Sequence, residues 1–174
     1  MRHSVDSNAL ETALSVGDEG RVIEELRSLK SQRSSRRSRA AKAMQILEHT
    51  SSSRVRNAAA LALVDLRVPD AKHALVNLLT RPDTKGSRGT LLYALEQLGA
   101  AVPLPILAEI IADESYEARE EALALIARDP IECPAGELAR ARATLEAARP
   151  SADDERSQAI RRALEHLRLN ITDT

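Results

Sequence analysis

The chain has 174 residues, a formal net charge of −1, no Phe or Trp and two Tyr. This length allows one domain with a substantial core and is short for two domains of ordinary size. A charge close to zero excludes a general electrostatic attraction to nucleic acid or membranes. A core without Phe or Trp has to be built from Ala, Leu, Ile and Val, which suits closely packed helices, and no sustained apolar–polar alternation indicates a sheet.

Composition also indicates the compartment. The single cysteine, Cys133, cannot form an internal disulfide, which favours a reducing environment. The N-terminus has no apolar run typical of a signal peptide, and no stretch approaches the length of a membrane span. Arginine far outnumbers lysine, as expected for a protein encoded by a GC-rich bacterial genome. We therefore expect a soluble protein of the bacterial cytoplasm.

Apolar residues at helical spacing predict three helices near the N-terminus. The first ends near Gly17, the second runs from Asp18 to about Lys30, and the third runs from about Arg36 to His49. The third helix has the apolar spacing of the helices that follow, but it lies outside their period. This segment is therefore either a degenerate repeat with a cap or a three-helix unit.

Residues 54–128 contain three copies of one helix–turn–helix pattern. Each copy has an arginine followed by small or apolar residues at positions +3, +6 and +7, and these arginines are Arg56, Arg88 and Arg119. Such a period predicts a stacked array in which each unit buries its apolar face against its neighbours. Five helices are expected here, at about residues 54–66, 71–80, 85–98, from 103 or 105 onwards, and 115–128.

Two more helices are predicted at the C-terminus. One covers about residues 135–149, and Ser151 with Asp154 resembles a capping box that opens the last helix, which continues to about Arg168. The predicted fold is all-α, an α-solenoid of about ten helices in one domain over residues 1–168. Its expected parts are irregular helices over 1–50, regular repeats over 51–130, capping helices over 131–168 and a fraying tail over 169–174.

The copies resemble HEAT repeats, particularly the short bacterial kind of about 30 residues. That family typically has an Asp near the turn between helices and, six positions later, a Val-Arg pair that opens the next helix. Val55-Arg56 matches the pair, and Asp113 with Arg119 matches the spacing from Asp to Arg. Thr50 stands where the family has the Asp ahead of Arg56, so the series is incomplete.

The resemblance implies both a structural role for these residues and a binding face. Family Asp and Arg residues brace neighbouring units, and the second helices line the concave surface of a right-handed superhelix. The polar residues left on the second helices after their apolar stripes are removed are Lys72, His73, Asn77, Arg81, Glu109, Asp113, Glu137 and Arg140. We expect them to bind another protein, which makes the chain a non-catalytic scaffold or adaptor, or an inhibitor of the immunity type.

A basic segment provides the second hypothesis. Residues 27–42 contain no acidic residue. The residues expected to hold an anion are Arg33, Arg36, Arg37, Arg39 and Lys42. Because the guanidinium group binds phosphate through two parallel hydrogen bonds, this segment predicts binding to a nucleic-acid backbone or an acidic partner. The alternative is a solvated helix face in an arginine-rich chain.

Nothing in the sequence indicates catalysis. The four His have no second ligand at metal-binding spacing, and Cys133 lies in a linker without a nearby His. Some HEAT-like proteins are DNA glycosylases and others are bilin lyases, but a chain without Trp or Phe offers little for stacking a base. We expect no enzyme, metal, cofactor, small-molecule substrate or membrane partner. Tyr93 and Tyr116 are expected to be partly buried packing residues, with a role in binding as the alternative.

Overall fold

The computed structural model describes residues 6–128 and 133–169. The regular secondary structure in this part of the chain consists of α-helices and short 3₁₀ turns. Ten α-helices lie in this part of the chain, and no strand does, which confirms the predicted fold class. Their bounds are α1 Asp6–Val16, α2 Glu19–Ser28, α3 Arg36–His49, α4 Ser53–Asp65, α5 Ala71–Leu79, α6 Gly89–Gln97, α7 Leu104–Asp113, α8 Tyr116–Arg128, α9 Ala135–Ala148 and α10 Asp154–Leu169. The predicted tail beyond residue 169 and the link over residues 129–132 lie outside the described residues.

The chain divides into two compact units, one up to Leu78 and one from Leu79 onwards. Each has its own core of buried Ala, Leu, Ile and Val side chains, as the composition predicts. The division falls within α5, so it does not coincide with a linker. The single domain over residues 1–168 stays a prediction.

In the N-terminal unit, α4 packs against both α2 and α3, and α1 packs against α2. The apolar face of α2 consists of Val22, Ile23 and Leu26, all buried. The C-terminal unit repeats this arrangement, because α8 packs against both α6 and α7. By this correspondence α2 is a first helix and α3 a second helix. This correspondence favours a degenerate repeat preceded by one extra helix over a three-helix unit.

Stacking continues through the C-terminal unit. The first helices α6, α8 and α10 lie in order, with α8 packed against both of its neighbours, and the second helix α7 packs against α9. Leu91, Leu95, Ile110 and Ile111 are fully buried and fill the space between these layers. Each helix buries its apolar stripe against neighbours from adjacent repeats, which is the arrangement that a 31–32-residue period predicts.

Two predicted helix starts are wrong. The sixth helix begins at Gly89 rather than near Lys85, because residues 82–84 form a separate 3₁₀ turn and Gly86 has a φ of +80° that no helix accommodates. The last helix is not capped by Ser151, which lies in the preceding 3₁₀ turn. Asp153 takes that role, since its Oδ1 accepts a hydrogen bond of 2.8 Å from the backbone N–H of Arg156.

Candidate functional site

The second helices carry the residues that the sequence predicts to bind a partner. On them His73, Asn77, Glu109, Asp113 and Arg140 are exposed, whereas Lys72, Arg81 and Glu137 are half-buried. Residues four apart share one side of a helix, so His73 lies beside Asn77 on α5 and Glu109 beside Asp113 on α7. Each of these helices therefore presents a polar side to solvent.

Arg81 and Asp113 of this set take part in ion pairs within the chain. Arg81 Nη2 lies 2.8 Å from Asp83 Oδ2. Asp113 accepts a hydrogen bond from Lys85 and lies 3.9 Å from Arg156 Nη1. The bond from Lys85 lowers the pKa of the Asp113 carboxyl, desolvation opposes this, and the charges of Lys85 and Arg156 add to the lowering. Asp113 is thus already balanced by two cations.

Two arginines of the basic segment bind the ends of neighbouring helices. The Nε of Arg36 donates a hydrogen bond of 2.7 Å to the carbonyl of Leu66, and its Nη2 donates to that of Arg67, just after α4. Arg39 Nη1 donates to the carbonyls of Leu29 and Lys30, at 2.6 and 2.8 Å, just after α2. The last carbonyls of a helix have no partner within it and carry partial negative charge, so these arginines act as C-terminal caps.

The other cations of the segment divide into paired and exposed groups. Lys30 lies 3.2 Å from Asp65, and Lys42 lies 3.5 Å from Glu11. Arg33 and Arg37 are exposed and make no hydrogen bond or ion pair with any residue that the structure describes. Of the five residues expected to hold an anion, two therefore keep guanidinium groups that are available to a partner.

The three arginines of the repeat pattern are structural. They are Arg56, Arg88 and Arg119. Arg56 is fully buried, Arg119 is buried, and only 12% of the Arg88 side chain is exposed. Their guanidinium groups donate to the backbone carbonyls of Thr50, Arg81 and Glu114, at 3.5, 3.0 and 2.9 Å respectively. Each arginine ties a first helix to the chain that precedes it.

The acid that is buried against a repeat arginine is Glu114, not Asp113. Its side chain is 1% exposed, its Oε2 accepts a hydrogen bond of 2.8 Å from the backbone N–H of Gly86, and its Oε1 lies 3.2 Å from Arg88 Nη1. That close approach is an ion pair without the geometry of a hydrogen bond. Asp113, the residue that the family spacing indicates, is exposed and makes no contact with Arg119.

The sequence contains one indication of the role of Glu114, although the family's six-residue spacing from Asp to Arg points to Asp113 instead. An acid stands five positions before the repeat arginine twice, as Asp83 before Arg88 and as Glu114 before Arg119. In the structure Asp83 is exposed and Glu114 is buried, so this signal does not decide burial by itself.

Three carboxylates crowd one surface of α6 and α8. Burial raises the pKa of the Glu121 carboxyl, and the negative charges of Glu96 and Glu117 raise it further.

Tyr93 on α6 is 40% exposed and Tyr116 at the start of α8 is 64% exposed. Tyr116 is therefore not the partly buried packing residue that the sequence predicts, whereas Tyr93 keeps more than half of its surface covered.

The described residues hold no group of three or more His, Cys, Asp and Glu that could bind a metal ion. Cys133 is a half-buried free thiol just before α9. Within the described ranges, no helix has the length and apolarity that crossing a bilayer requires.

Comparison with known proteins adds one finding to this geometry. A family model for HEAT repeats matches residues 40–127, about half of the chain. The chain belongs to the HEAT-repeat family. HEAT repeats are generally protein-interaction scaffolds and are typically non-catalytic. Neither the curated proteins nor the solved structures yield a match to this HEAT-repeat chain.

The matched residues include the three structural arginines, all of α4 to α7 and α8 up to residue 127. The repeat that consists of α2 and α3 lies mostly ahead of the match, and α9 and α10 lie after it. These flanking helices nevertheless stack on their neighbours as the matched ones do. Helical stacking therefore extends beyond the recognisable HEAT repeats.

Proposed function

We propose that this HEAT-repeat protein is a non-catalytic scaffold or adaptor that binds another protein through the exposed sides of its second helices. An inhibitor of the immunity type is one form of such a protein, and the bacterial cytoplasm is its proposed location. The observation that carries the proposal is the pair of polar faces on α5 and α7, where His73 and Asn77, and Glu109 on the next second helix, are open to solvent.

The mixture of charges on these helices favours a protein partner. His73 and Asn77 are neutral or weakly basic, Glu109 is acidic and Arg140 is basic. Protein interfaces combine positive and negative charges, and the arrangement of these charges gives specificity. A nucleic-acid backbone instead binds surfaces of uniform positive charge. The second helices therefore suit a folded protein with its own mixed surface.

The alternative, nucleic-acid backbone binding through residues 27–42, has weaker support. Arg36 and Arg39 donate to backbone carbonyls of the chain, and Lys42 lies beside Glu11. Arg27, Arg33 and Arg37 remain as exposed cations without a described hydrogen bond or ion pair. Three such charges give a small electrostatic contribution, because backbone affinity grows with the number of phosphates neutralised.

Site-specific photocrosslinking in the source cell tests the proposal. A benzoylphenylalanine residue replaces His73 or Glu109 on the second helices, and a control replaces Leu61, which is likewise exposed and lies on the first helix α4. We expect one protein adduct from the first two positions and none from the control. Adducts from the control alone, or nucleic acid as the crosslinked species, would contradict the proposal.

A further inference from the structure

We propose that a groove in the N-terminal unit binds an acidic, aliphatic segment of the partner protein. The groove lies between α3 and the loop that joins α4 to α5, and it has a volume of about 600 Å³. This inference rests on the proposed function, since it presupposes a protein partner, and it adds the chemistry of the segment that the partner supplies.

The floor of the groove is apolar. Ala40 and Met44 on α3 are half-buried, and Val68 in the opposite loop is 9% exposed. The volume lies within the range of about 300–1,000 Å³ that is typical of binding pockets. Methionine adapts its shape to different partners, because its side chain is unbranched and polarizable. Aliphatic side chains of a bound segment therefore find a surface on which they lose contact with water.

Positive charge dominates the rim. Arg36 and Arg37 line the groove, and among the residues that the structure describes Asp70 is the single acid that lines it. The guanidinium group of Arg36 is held in place by the carbonyls after α4, so its position is fixed before a partner arrives. Arg37 is exposed and makes no contact with the described residues, which leaves its whole guanidinium group for a carboxylate.

Further cations extend the positive rim along the chain. Arg33 precedes α3 and Arg67 follows α4, and both side chains are exposed without a described partner. Arg67 has a φ of +51°, a conformation that non-glycine residues adopt rarely. Charge complementarity selects a ligand with two or more carboxylates around an aliphatic anchor.

The same features disfavour a nucleic acid. No aromatic residue lines the groove, so a base has no side chain on which to stack. Asp70 places a negative charge beside the arginines, which opposes a continuous row of phosphates, whereas a peptide needs carboxylates at only some of its positions. An acidic peptide segment with aliphatic side chains therefore complements both the apolar floor and the positive rim of the groove.

Selection from phage-displayed random peptides of twelve residues, against the purified full chain, tests this inference. We expect enriched peptides to contain at least two Asp or Glu and at least one aliphatic residue. A synthetic peptide of the enriched sequence is then measured by fluorescence anisotropy. Arg37→Glu and Ala41→Glu, at two exposed positions that line the groove, should each weaken its binding by about tenfold or more.

Arg21→Glu is the matched control, because Arg21 is an exposed arginine on α2 that does not line the groove. We expect this variant to bind the peptide as the unaltered chain does. Failure to enrich acidic peptides, or equal binding by the Arg37→Glu variant, would overturn the inference. A single-stranded oligonucleotide whose binding requires Arg37, in place of any peptide, would overturn it in favour of nucleic acid. Crosslinks from His73 and Glu109 would still support the proposed function in each of these cases.

Discussion

Two adjacent carboxylates, Asp113 and Glu114, have opposite environments. Asp113 ends α7 and stays in solvent, whereas Glu114 adopts an extended backbone with φ −120° and ψ 176° and turns inward. There it accepts the Gly86 N–H and lies against Arg88. A charged group with so little exposure is retained only with a partner, because an unpaired buried charge is costly. Glu114 is therefore the acid that holds the two ends of the α6–α7 repeat together.

This difference predicts unequal losses of stability. Glu114→Ala leaves Arg88 largely buried without its counter-charge and should lower the free energy of unfolding by about 3–5 kcal/mol. Asp113→Ala removes an exposed ion pair and should lower it by about 0–1 kcal/mol. Urea unfolding followed by circular dichroism measures both values. Equal losses for the two variants would show that Glu114 is not the bracing acid.

The raised pKa of Glu121 gives a pH-dependent prediction. Because its pKa is raised in the folded state, the folded state binds this proton more tightly than the unfolded state does. Stability therefore falls as pH rises from the ordinary pKa of a glutamate through the raised value. Glu121→Gln should stabilise the protein at pH 7, by about 0.2–0.5 kcal/mol through relief of the repulsion from Glu117 four residues earlier.

The gain from Glu121→Gln should shrink at acid pH, where the carboxyl is protonated in both states. Thermal unfolding at pH 7 and at pH 4 measures this difference. A gain that stays constant between the two values would mean that charge on Glu121 does not cause it.

Sequence predicts the structural arginines but not their acidic partner. Arg56, Arg88 and Arg119 recur at a fixed period, so one physical role follows for all three. The choice between Asp113 and Glu114 depends on the residue at which α7 ends and on the backbone angles just after it. The contacts of Glu114 with Gly86 and Arg88 join residues that lie far apart in the sequence, which no local pattern contains.

At the scale of elements, the basic character of α3 has two separate causes. Arg36 and Arg39 cap the carboxyl ends of α4 and α2, whereas Arg33 and Arg37 lie in solvent. The bounds of α3 follow from the sequence, with Ser35 as its N-cap. The capping contacts do not follow from the sequence, because each joins an arginine of α3 to a carbonyl just after another helix.

This division predicts which arginines affect folding. Arg36→Ala and Arg39→Ala should each lower the free energy of unfolding by about 1 kcal/mol, since each leaves helix-end carbonyls without a donor. Arg33→Ala and Arg37→Ala are the matched controls, expected to change it by less than about 0.5 kcal/mol. Urea unfolding of the four variants decides the matter. Comparable losses at all four positions would contradict the capping role.

The start of α10 offers a second test at this scale. Asp153→Ala removes the N-cap and should lower stability by about 1 kcal/mol, whereas Ser151→Ala should leave it nearly unchanged. Thermal unfolding of both variants measures the difference. A larger effect at Ser151 would restore the capping box that the sequence suggests.

For the whole molecule, the sequence predicts the stacking order better than it predicts the N-terminal repeat. The regular period over residues 54–128 follows directly from aligned residues, and within the C-terminal unit the structure shows the corresponding packing of α8 against α6 and α7. The repeat of α2 and α3 is hidden because α3 has the apolar spacing of a first helix in the position of a second one. Only the packing of α4 against both helices identifies it.

Binding of another protein is the central claim for the whole molecule, and native mass spectrometry of the chain purified from its source cell at moderate salt tests it most directly. Because the chain has no Trp and two Tyr, bound nucleic acid would also show clearly as absorbance at 260 nm. We expect a stoichiometric protein companion that is lost when His73→Glu and Glu109→Arg are combined, with no absorbance from nucleic acid. A companion that survives both substitutions, or nucleic acid in its place, would contradict the claim.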